Sequence, residues 1–358
     1  MAESALRILQ INTERGWRGG ERQTLLTAVG LRARGHEVEL LLRKGGALAE
    51  RARALGFVVL IAGGGFAFGC WLALHGRRYD VLHAQTAKVV AWAVAVAPLH
   101  GRPLVFSRRT SFPLRAGVWL TRLKWRGVTQ LVAISEAAAQ APRSLGVATQ
   151  VIPSAVLPIA ADTARIQNFL NRSALEGRRL VGTAAALSVE KDPVTLIHAA
   201  AKVCAQCQDV VFVHWGAEGA ASHVAQQTIA ELGLQDRYLL LGFEPEVEQL
   251  FPALSVFVMA SRFEALGSSV LDAMLQKVPV VSTDAGGLKE TVGQGRGLLC
   301  APGDAATMAA HISFILEQPE QARATAEVAC AAVRAEYAVD SMVDRYIEVY
   351  RETLRCVR

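Results

Sequence analysis

The stretch VFVMASRFEALGSSVLDAML, residues 256–275, joins a short apolar run to a helical pattern through a loop that contains a glycine and two serines. The run VFVMAS has the length and the branched residues of a buried strand. Gly267, Ser268 and Ser269 then begin the helix, so their backbone N–H groups have no acceptor within it. Because the helix dipole adds partial positive charge at that end, we expect these amides to bind phosphate oxygens.

Two carboxylates flank these small residues. Glu264 precedes the turn, and Asp272 lies one to two turns inside the helix. A carboxylate near each end of a bound diphosphate sugar could accept hydrogen bonds from sugar hydroxyls. The alternative is that Glu264 is a loop charge and that Asp272 has a partner inside the protein.

Short apolar runs alternate with helical patterns along the rest of the chain. The first half contains LRILQIN, HEVELLLR, FVVLIA, DVLHA, PLVFS, QLVAIS and TQVIPS, and the second contains RRLVGTAAAL, DVVFVHWG, RYLLLGF, VFVMAS, VPVVST and RGLLCA. This alternation is typical of parallel sheets with helices on both faces. It pauses between residues 155 and 179. We therefore predict an α/β protein of two Rossmann-like, doubly wound domains that face each other across a cleft.

The predicted domain limits follow from the same pattern. The first domain occupies residues 1–158 and the second residues 159–340. Residues 341–358 form an amphipathic helix, which we expect to pack back on the first domain because its apolar stripe needs a surface to cover.

Charge is distributed unevenly along the chain. Residues 1–160 carry 21 Lys and Arg against 8 Asp and Glu, a net charge of +13, whereas the remaining residues carry 17 against 24, a net charge of −7. This asymmetry indicates that the first domain meets an anionic partner, such as a lipid surface or a phosphorylated acceptor. Nucleic acid is not expected, because no helix-turn-helix, zinc-finger or ribonucleoprotein motif is present.

Targeting and redox signals favour a cytoplasmic protein. The amino terminus runs from an acidic residue into an apolar strand, which does not fit a signal peptide. The uncharged run Phe57–Leu74 has Gly63–Gly65 at its centre and so predicts a strand, a loop and a helix, not a membrane span. The six cysteines are scattered and indicate a reducing compartment. Cys204 and Cys207 form a CxxC without a second pair, so zinc is not expected.

Several motifs together resemble a known family. The stretch SRFEALGSSVLDAML, followed by VPVVSTDAGGLKETV and GRGLLCAPGD, resembles the donor domain of family-four retaining glycosyltransferases with the two-domain GT-B fold. Further resemblances occur in the family's order and cover essentially the whole chain: WRGGERQTLL, LRARGHEVELLL, DVLHAQ, LVAISEA, VIPSAV and SVEKDPVTLIHAA. The resemblance implies transfer of a sugar from a nucleotide-diphosphate sugar to a glycan or glycolipid acceptor, with retention. It further implies a place in lipopolysaccharide or surface polysaccharide assembly.

The resemblance also implies roles for three charged residues of the second domain. Lys191 matches the lysine that neutralises the donor diphosphate, and a compact cation at the front of a helix suits that task. Glu264 matches the acid that contacts the donor sugar. Asp272 matches the acid that binds the nucleotide ribose, although the family usually has a glutamate there. The alternative for Lys191 is a surface lysine in a turn.

In the first domain the resemblance implies a glycine-rich loop and a histidine. Gly19 and Gly20 match the loop that approaches the donor, where larger side chains would obstruct. His83 matches a histidine near the reacting sugar. A glycine pair in an ordinary turn and a structural histidine just past a strand are the alternatives.

One departure from the family concerns donor phosphate binding. The family usually has an arginine immediately before its LxxEK motif, as in GRLxxEK, whereas this chain has Ala186 at the arginine position of AALSVEK. Loss of a charge-assisted contact would weaken binding by roughly ten- to a hundredfold. Arg262 or Arg18 could supply the missing charge. The segment VIPSAV also lacks the family's usual asparagine and glycine.

A basic and aromatic segment of the first domain, Ser107–Gly127, is the predicted acceptor or membrane region. Its cations are Arg108, Arg109, Arg115, Arg122, Lys124 and Arg126, and its aromatic residues are Phe112, Trp119 and Trp125. Basic heads with aromatic anchors fit a helix that lies on an anionic bilayer, here the inner membrane. A solvated basic face with core tryptophans fits equally well. Arg108 and Arg109 could alternatively bind a phosphate or acidic sugar of the acceptor.

Neither a metal ion nor another cofactor is expected, because there is no Asp-x-Asp pair and because Lys191 with a helix end can neutralise the diphosphate. A sugar-nucleotide epimerase of the same fold and a non-catalytic sugar-nucleotide-binding protein stay open as alternatives. A dinucleotide dehydrogenase does not fit, because the turn NTERGWRGGERQ lacks GxGxxG.

Overall fold

The computed structural model describes residues 4–112, 114, 117–173 and 175–357. Contacts divide the chain into two compact units. Unit 1 comprises Met1–Ala155 and Tyr337–Arg358, and unit 2 comprises Val156–Glu336. The chain therefore leaves unit 1 for unit 2 and returns to unit 1 for its last helix.

Unit 1 is built on a seven-stranded parallel sheet in the order β3-β2-β1-β4-β5-β6-β7. Its strands are β1 Arg7–Asn12, β2 Glu37–Arg43, β3 Val58–Ala62, β4 Val81–Ala84, β5 Leu104–Arg108, β6 Gln130–Ala133 and β7 Thr149–Val151. Its helices are α1 Gly19–Ala33, α2 Ala47–Ala54, α3 Gly65–His75, α4 Ala87–Ala95, α5 Ala97–His100, α6 Val118–Arg126, α7 Glu136–Ser144 and, from the end of the chain, α15 Val339–Val357. The strand order reverses between β1 and β4, which is the topological switch point of this sheet.

Unit 2 is built on a six-stranded parallel sheet in the order β10-β9-β8-β11-β12-β13. Its strands are β8 Arg179–Ala184, β9 Val210–Trp215, β10 Tyr238–Gly242, β11 Leu254–Met259, β12 Val280–Thr283 and β13 Leu298–Cys300. Its helices are α8 Thr163–Arg172, α9 Pro193–Gln206, α10 Ser222–Glu231, α11 Ser268–Leu275, α12 Gly287–Val292, α13 Ala305–Glu317 and α14 Pro319–Glu336. The order reverses between β8 and β11.

Each apolar run predicted as a strand overlaps a strand of these sheets, and the prediction of two doubly wound α/β domains is confirmed. The strands read as continuous apolar runs because helices cover both faces, as the fully buried β9 illustrates. In unit 1 one core contains Leu31 of α1 and Tyr346 of α15, and a second contains Phe68 of α3 and Trp125 of α6.

The uncharged run Phe57–Leu74 folds as strand β3, a short loop and most of α3, as its glycines predict. Among the described residues no helix has both the length and the apolar character needed to cross a bilayer. Each of the six cysteines is a free thiol.

Helix α15 returns to unit 1 with a strongly amphipathic pattern. Met342, Val343, Tyr346 and Tyr350 are buried in the core that also holds Leu6. Burial of such an apolar stripe stabilises a terminal helix that would be marginal alone.

Candidate functional site

The predicted donor residues flank the switch point of unit 2. Lys191 ends a short 3₁₀ turn, Val189–Lys191, in the loop that follows β8. Glu264 lies in the loop that follows β11. Because β8 and β11 are adjacent parallel strands, their carboxyl ends open at the same edge of the sheet, where such folds bind ligands. Topology thus brings together two residues that are far apart in the sequence.

The two side chains form an ion pair, from Lys191 Nζ to Glu264 Oε2. The side chains are 24% and 15% exposed, so the pair is sheltered but reachable from solvent. The backbone reinforces this contact, because the amide of Arg262 donates to the carbonyl of Glu190 over 2.8 Å. The two loops are therefore held together before any ligand binds.

A second ion pair supports the first. Asp192 is buried and caps α9 through Thr195, whose hydroxyl donates to Asp192 Oδ2 over 2.7 Å. The same carboxylate oxygen accepts from Arg262 Nε at 2.7 Å. Arg262 was one of two cations predicted to replace the arginine missing at Ala186, and in this structure its guanidinium is engaged by Asp192. This pairing fixes the loop that carries Lys191.

The amino end of α11 lies next along the chain. Gly267 precedes the helix with φ of +85°, which favours glycine, and an added Cβ would lie 2.6 Å from Leu288 Cδ2. Ser268 and Ser269 follow as its first residues and are partly exposed. The carbonyl of Glu264 accepts from the amide of Gly287 at 2.9 Å, so the start of α12 holds the same loop. First-turn amides of a helix lack intrahelical acceptors and can bind an anion.

Asp272 differs from Glu264 in its surroundings. It lies inside α11 and is only 6% exposed, and it does not lack interactions within the protein. Its predicted contact with a nucleotide ribose stays a prediction.

Two serine hydroxyl groups near this site were not predicted from the sequence. The Oγ atoms of Ser188, before the Lys191 turn, and of Ser261, after β11, are buried and have no hydrogen-bond partner in the described part of the chain. Buried hydroxyls are usually paired, so these two are exceptions at the edge of the candidate site. Single serines in a loop carry no sequence signal that could have revealed this.

In unit 1 the glycine pair begins α1. Gly20 approaches Arg109, since an added Cβ would lie 3.7 Å from Arg109 Cδ. The helix end also carries a carboxylate, because Glu21 Oε2 accepts from the amide of Arg18 at 3.0 Å. Burial raises the pKa of Glu21. Arg18 therefore contributes its backbone to a cap, and the approach of Gly19 and Gly20 to a donor stays a prediction.

The two adjacent arginines have different surroundings. Arg108 is buried, donates to the carbonyls of Ala138 (3.1 Å) and Phe112 (3.0 Å), and has its guanidinium carbon 4.8 Å from the centroid of the Trp125 ring. These internal contacts show Arg108 to be a packing residue in this structure. The prediction that it points to an acceptor is therefore corrected.

Arg109 is half-buried and more accessible. Its guanidinium donates to Gln85 Oε1 (3.2 Å from Nε, 2.5 Å from Nη2) and to Ser154 Oγ (2.9 Å), which are uncharged acceptors. Burial lowers the pKa of Arg109. A half-buried guanidinium held by neutral groups can bind an anion, and the predicted contact of Arg109 with an acceptor stays a prediction.

His83 lies inside β4, within the predicted strand DVLHA. The imidazole is fully buried, with Nδ1 2.6 Å from the Tyr350 hydroxyl and Nε2 2.8 Å from Ser107 Oγ. Burial, and next the charge of Arg109, holds the pKa of His83 well below its usual value. The structure therefore holds a neutral imidazole inside unit 1, and a role near the reacting sugar stays a prediction.

Helix α6 carries the rest of the predicted acceptor or membrane region. Arg122 and Arg126 are exposed on it, whereas Arg115 lies outside the described residues. Trp119 is exposed, but Trp125 is buried in the core, so Trp125 is not a surface anchor.

The structure describes no group of three or more His, Cys, Asp or Glu side chains arranged to hold a metal ion in residues 4–112, 114, 117–173 and 175–357. Cys204 and Cys207 of the CxxC lie at the end of α9 as free thiols.

Two family models match the chain, one in each unit. The model described as Glycosyltransferase Family 4 matches residues 17–158, and the model described as Glycosyl transferases group 1 matches residues 166–330. Each unit thus matches a model of a glycosyltransferase domain, and the two-domain architecture is that of the GT-B fold.

Named relatives are glycosyltransferases as well. The 2-deoxystreptamine glucosyltransferase of Streptomyces kanamyceticus is 33% identical over 216 residues, which are 58% of this chain and 53% of that protein. The lipopolysaccharide core biosynthesis mannosyltransferase LpcC of Rhizobium leguminosarum bv. viciae is 27% identical over 293 residues, 80% of this chain and 82% of that one. The chain thus spans about half the length of the first relative and most of the second.

Solved structures support the GT-B fold. The HepE protein of Anabaena, whose crystal structure contains UDP and glucose, matches with a TM-score of 0.88 and 22% identity, over 97% of this chain and 100% of that chain.

Proposed function

We propose that this GT-B protein transfers a sugar from a nucleotide-diphosphate sugar to a glycan or glycolipid acceptor, with retention at the anomeric carbon. The main support is the Lys191–Glu264 pair at the switch point of unit 2, where Glu264 lies in the loop that leads into the amino end of α11. A cation, a carboxylate and free amides at one sheet edge match the phosphates and hydroxyls of such a donor.

The ion pair suggests how the donor engages. An arriving diphosphate competes with Glu264 for Lys191, because phosphate oxygens carry more charge than one carboxylate. Lys191 then contacts the phosphates, and the Glu264 oxygens become free to accept hydrogen bonds from hydroxyls of the donor sugar. One exchange of partners would thus orient both ends of the donor.

The proposed chemistry needs no protein nucleophile and no metal ion. The bond between the anomeric carbon and the diphosphate oxygen breaks, the acceptor oxygen bonds to that carbon on the same face, and the acceptor proton passes to the departing phosphate oxygen. Negative charge grows on the diphosphate, where Lys191 and the amides of Gly267–Ser269 would stabilise it. Activity that persists in excess EDTA is expected.

The relatives guide the choice of donor and pathway. HepE was crystallised with UDP and glucose, so a uridine diphosphate sugar is the first donor to test. The similarity to LpcC favours lipopolysaccharide or surface polysaccharide assembly, with the protein in the cytoplasm or at the cytoplasmic face of the membrane.

A two-stage experiment tests the proposal. Thermal shift with UDP, GDP and ADP should identify one nucleotide that raises Tm, since a ligand that binds only the folded state stabilises it. Incubation with the matching labelled donor and a glycolipid extract should then give a labelled product whose anomeric configuration, read by NMR, equals that of the donor. An isomerised donor would identify an epimerase, and binding without turnover would identify a sensor.

A further inference from the structure

Helix α6 of unit 1 exposes most of its surface. Trp119, Leu120 and Leu123 are 68%, 55% and 62% exposed, while Trp125 on the opposite side is 3% exposed. The exposed trio is unusual for a short helix, because large apolar side chains normally face the core. The helix orientation is fixed, since the Trp125 ring is buried beside the guanidinium of Arg108.

Cations border this apolar trio on both sides. At about 100° per residue, Trp119, Leu123 and Leu120 fall within an arc of about 100°. Arg122 and Arg126 follow along one edge of the arc, and Lys124 follows along the other. We call these six residues the α6 face.

The surrounding sequence reinforces the positive charge of the α6 face. No Asp or Glu occurs between Asp80 and Glu136, whereas that interval contains eight Lys and Arg. No carboxylate in this interval of the sequence therefore opposes the long-range attraction of the α6 face to an anionic surface.

A groove lies beside the α6 face. It has a volume of about 710 Å³ and is lined by Trp119 and Arg122 of α6 and by Ser144 and Leu145 at the end of α7. Arg122 Nε donates to the carbonyl of Leu145 over 3.0 Å, which places a cation at the wall of the groove. The groove therefore combines an aromatic edge, a guanidinium and a hydroxyl.

We propose that the α6 face docks on the surface of an anionic phospholipid bilayer. Trp119, Leu120 and Leu123 enter the boundary between headgroups and acyl chains, and Arg122, Lys124 and Arg126 contact lipid phosphates. A solvated basic face does not need three large apolar side chains at its centre, and a purely apolar protein interface does not need cations on both edges. The proposal does not rest on the proposed donor site.

Co-flotation with vesicles tests this docking. The full chain should bind vesicles of roughly one-third phosphatidylglycerol and two-thirds phosphatidylcholine, and bind pure phosphatidylcholine far more weakly. Arg122→Gln with Arg126→Gln should lower partition to the anionic vesicles by about 25-fold, or about fivefold per cation. Trp119→Ser with Leu123→Ser should reduce binding at least tenfold.

Matched controls lie on α14 of unit 2, where Val328 and Arg323 are exposed. Val328→Ser and Arg323→Gln should bind vesicles like the wild type. Because the substituted side chains on α6 are exposed, their variants should keep the wild-type Tm and the wild-type shift with the nucleotide.

Unchanged vesicle binding by both α6 double variants would overturn the proposal. Equal flotation of the wild-type chain with pure phosphatidylcholine vesicles and with the anionic vesicles would also overturn it. If Trp119→Ser with Leu123→Ser instead converts a dimer into a monomer in sedimentation velocity, while the wild type ignores vesicles, the α6 face is an interface between copies and membrane docking is rejected.

Discussion

The switch points of the two units have the same topology but opposite chemistry. In unit 2 the adjacent strands β8 and β11 lead to paired charges, Lys191 with Glu264. In unit 1 the adjacent strands β1 and β4 carry Gln10 and His83, whose side chains meet the Tyr350 hydroxyl at 3.2 Å and 2.6 Å. The unit 2 pair is partly exposed, whereas the unit 1 network is buried by α15.

This difference shows that a doubly wound sheet supplies a place for a ligand but not its chemistry. At unit 2, charges that already sit at the edge can be redirected to a ligand at little structural cost. At unit 1, neutral groups lock a helix to the sheet, and Arg109 beside them is the half-buried charged group. The unit 1 switch point therefore holds the last helix of the chain, whereas the unit 2 switch point carries the charged pair of the proposed donor site.

The comparison is tested most strongly by removing the unit 2 carboxylate. Glu264→Ala should lower kcat by about a hundred- to a thousandfold, because the donor sugar loses the group that orients it. Steady-state kinetics with the identified donor measures this. Glu327→Ala, which removes the partner of Lys277 in another ion pair of unit 2, is the control and should keep normal kcat. Near-normal turnover by Glu264→Ala would refute the site.

Removing the unit 2 cation should weaken donor binding next most strongly. Lys191→Ala loses a charge-assisted contact to the diphosphate and leaves Glu264 unpaired, so Kd for the nucleoside diphosphate should rise about ten- to a hundredfold. Isothermal titration calorimetry measures Kd, with exposed Lys202→Ala as control. If both variants bind equally well, the phosphates lie elsewhere.

Acidification should destabilise the folded protein through its buried histidines. The imidazole of His83 has a usual pKa of 6.5, and burial lowers it in the folded protein, so between the two values the unfolded state binds more protons. The contribution of the neutral His83 imidazole to the free energy of unfolding is therefore fully present above about pH 6.5. It falls as the pH drops, by up to about 1.4 kcal/mol per pH unit. Burial likewise lowers the pKa of His214 in unit 2 to about 4.

Urea unfolding between pH 6.5 and pH 5 separates these contributions. His83→Gln and His214→Gln should each flatten the pH dependence relative to the wild type, even if each lowers stability. A His83→Gln slope equal to that of the wild type would mean that His83 titrates normally and that the unit 1 switch point is open.

The smallest expected effect concerns Arg262. Its ion pair with Asp192 positions the Lys191 loop but is itself more than half exposed on the arginine side, so its contribution is modest. Arg262→Ala should raise the nucleotide Kd about two- to fivefold, and Arg262→Lys should restore most of that affinity. A loss as large as that of Lys191→Ala would show instead that Arg262 contacts the phosphates and replaces the arginine missing at Ala186.

Local signals predicted the fold well. Runs of branched apolar residues give strands because they are buried on both faces, and Gly267 marks the start of α11 because it adopts positive φ. The pairing of Lys191 with Glu264 follows from strand adjacency, which is nearly fixed once a doubly wound sheet is recognised.

Predictions for individual side chains in unit 1 were less successful. Arg108 is a packing residue in this structure, and Trp125 and Trp119 have opposite environments on one helix. The sequence places Trp119 and Trp125 in one basic helix, but the core that receives one of them comes from distant segments.

The sequence by itself determined the strands, the helix starts and the order of the motifs, because backbone conformation and burial periodicity are set by residues within a few positions of one another. Only the tertiary structure decided which polar side chains are free to meet a ligand. His83 is buried by tyrosines more than 260 positions later in the chain, and Asp192 is paired with Arg262, 70 positions away. Long-range packing determines the partners of each polar group, and those partners determine whether it binds a ligand or holds the fold.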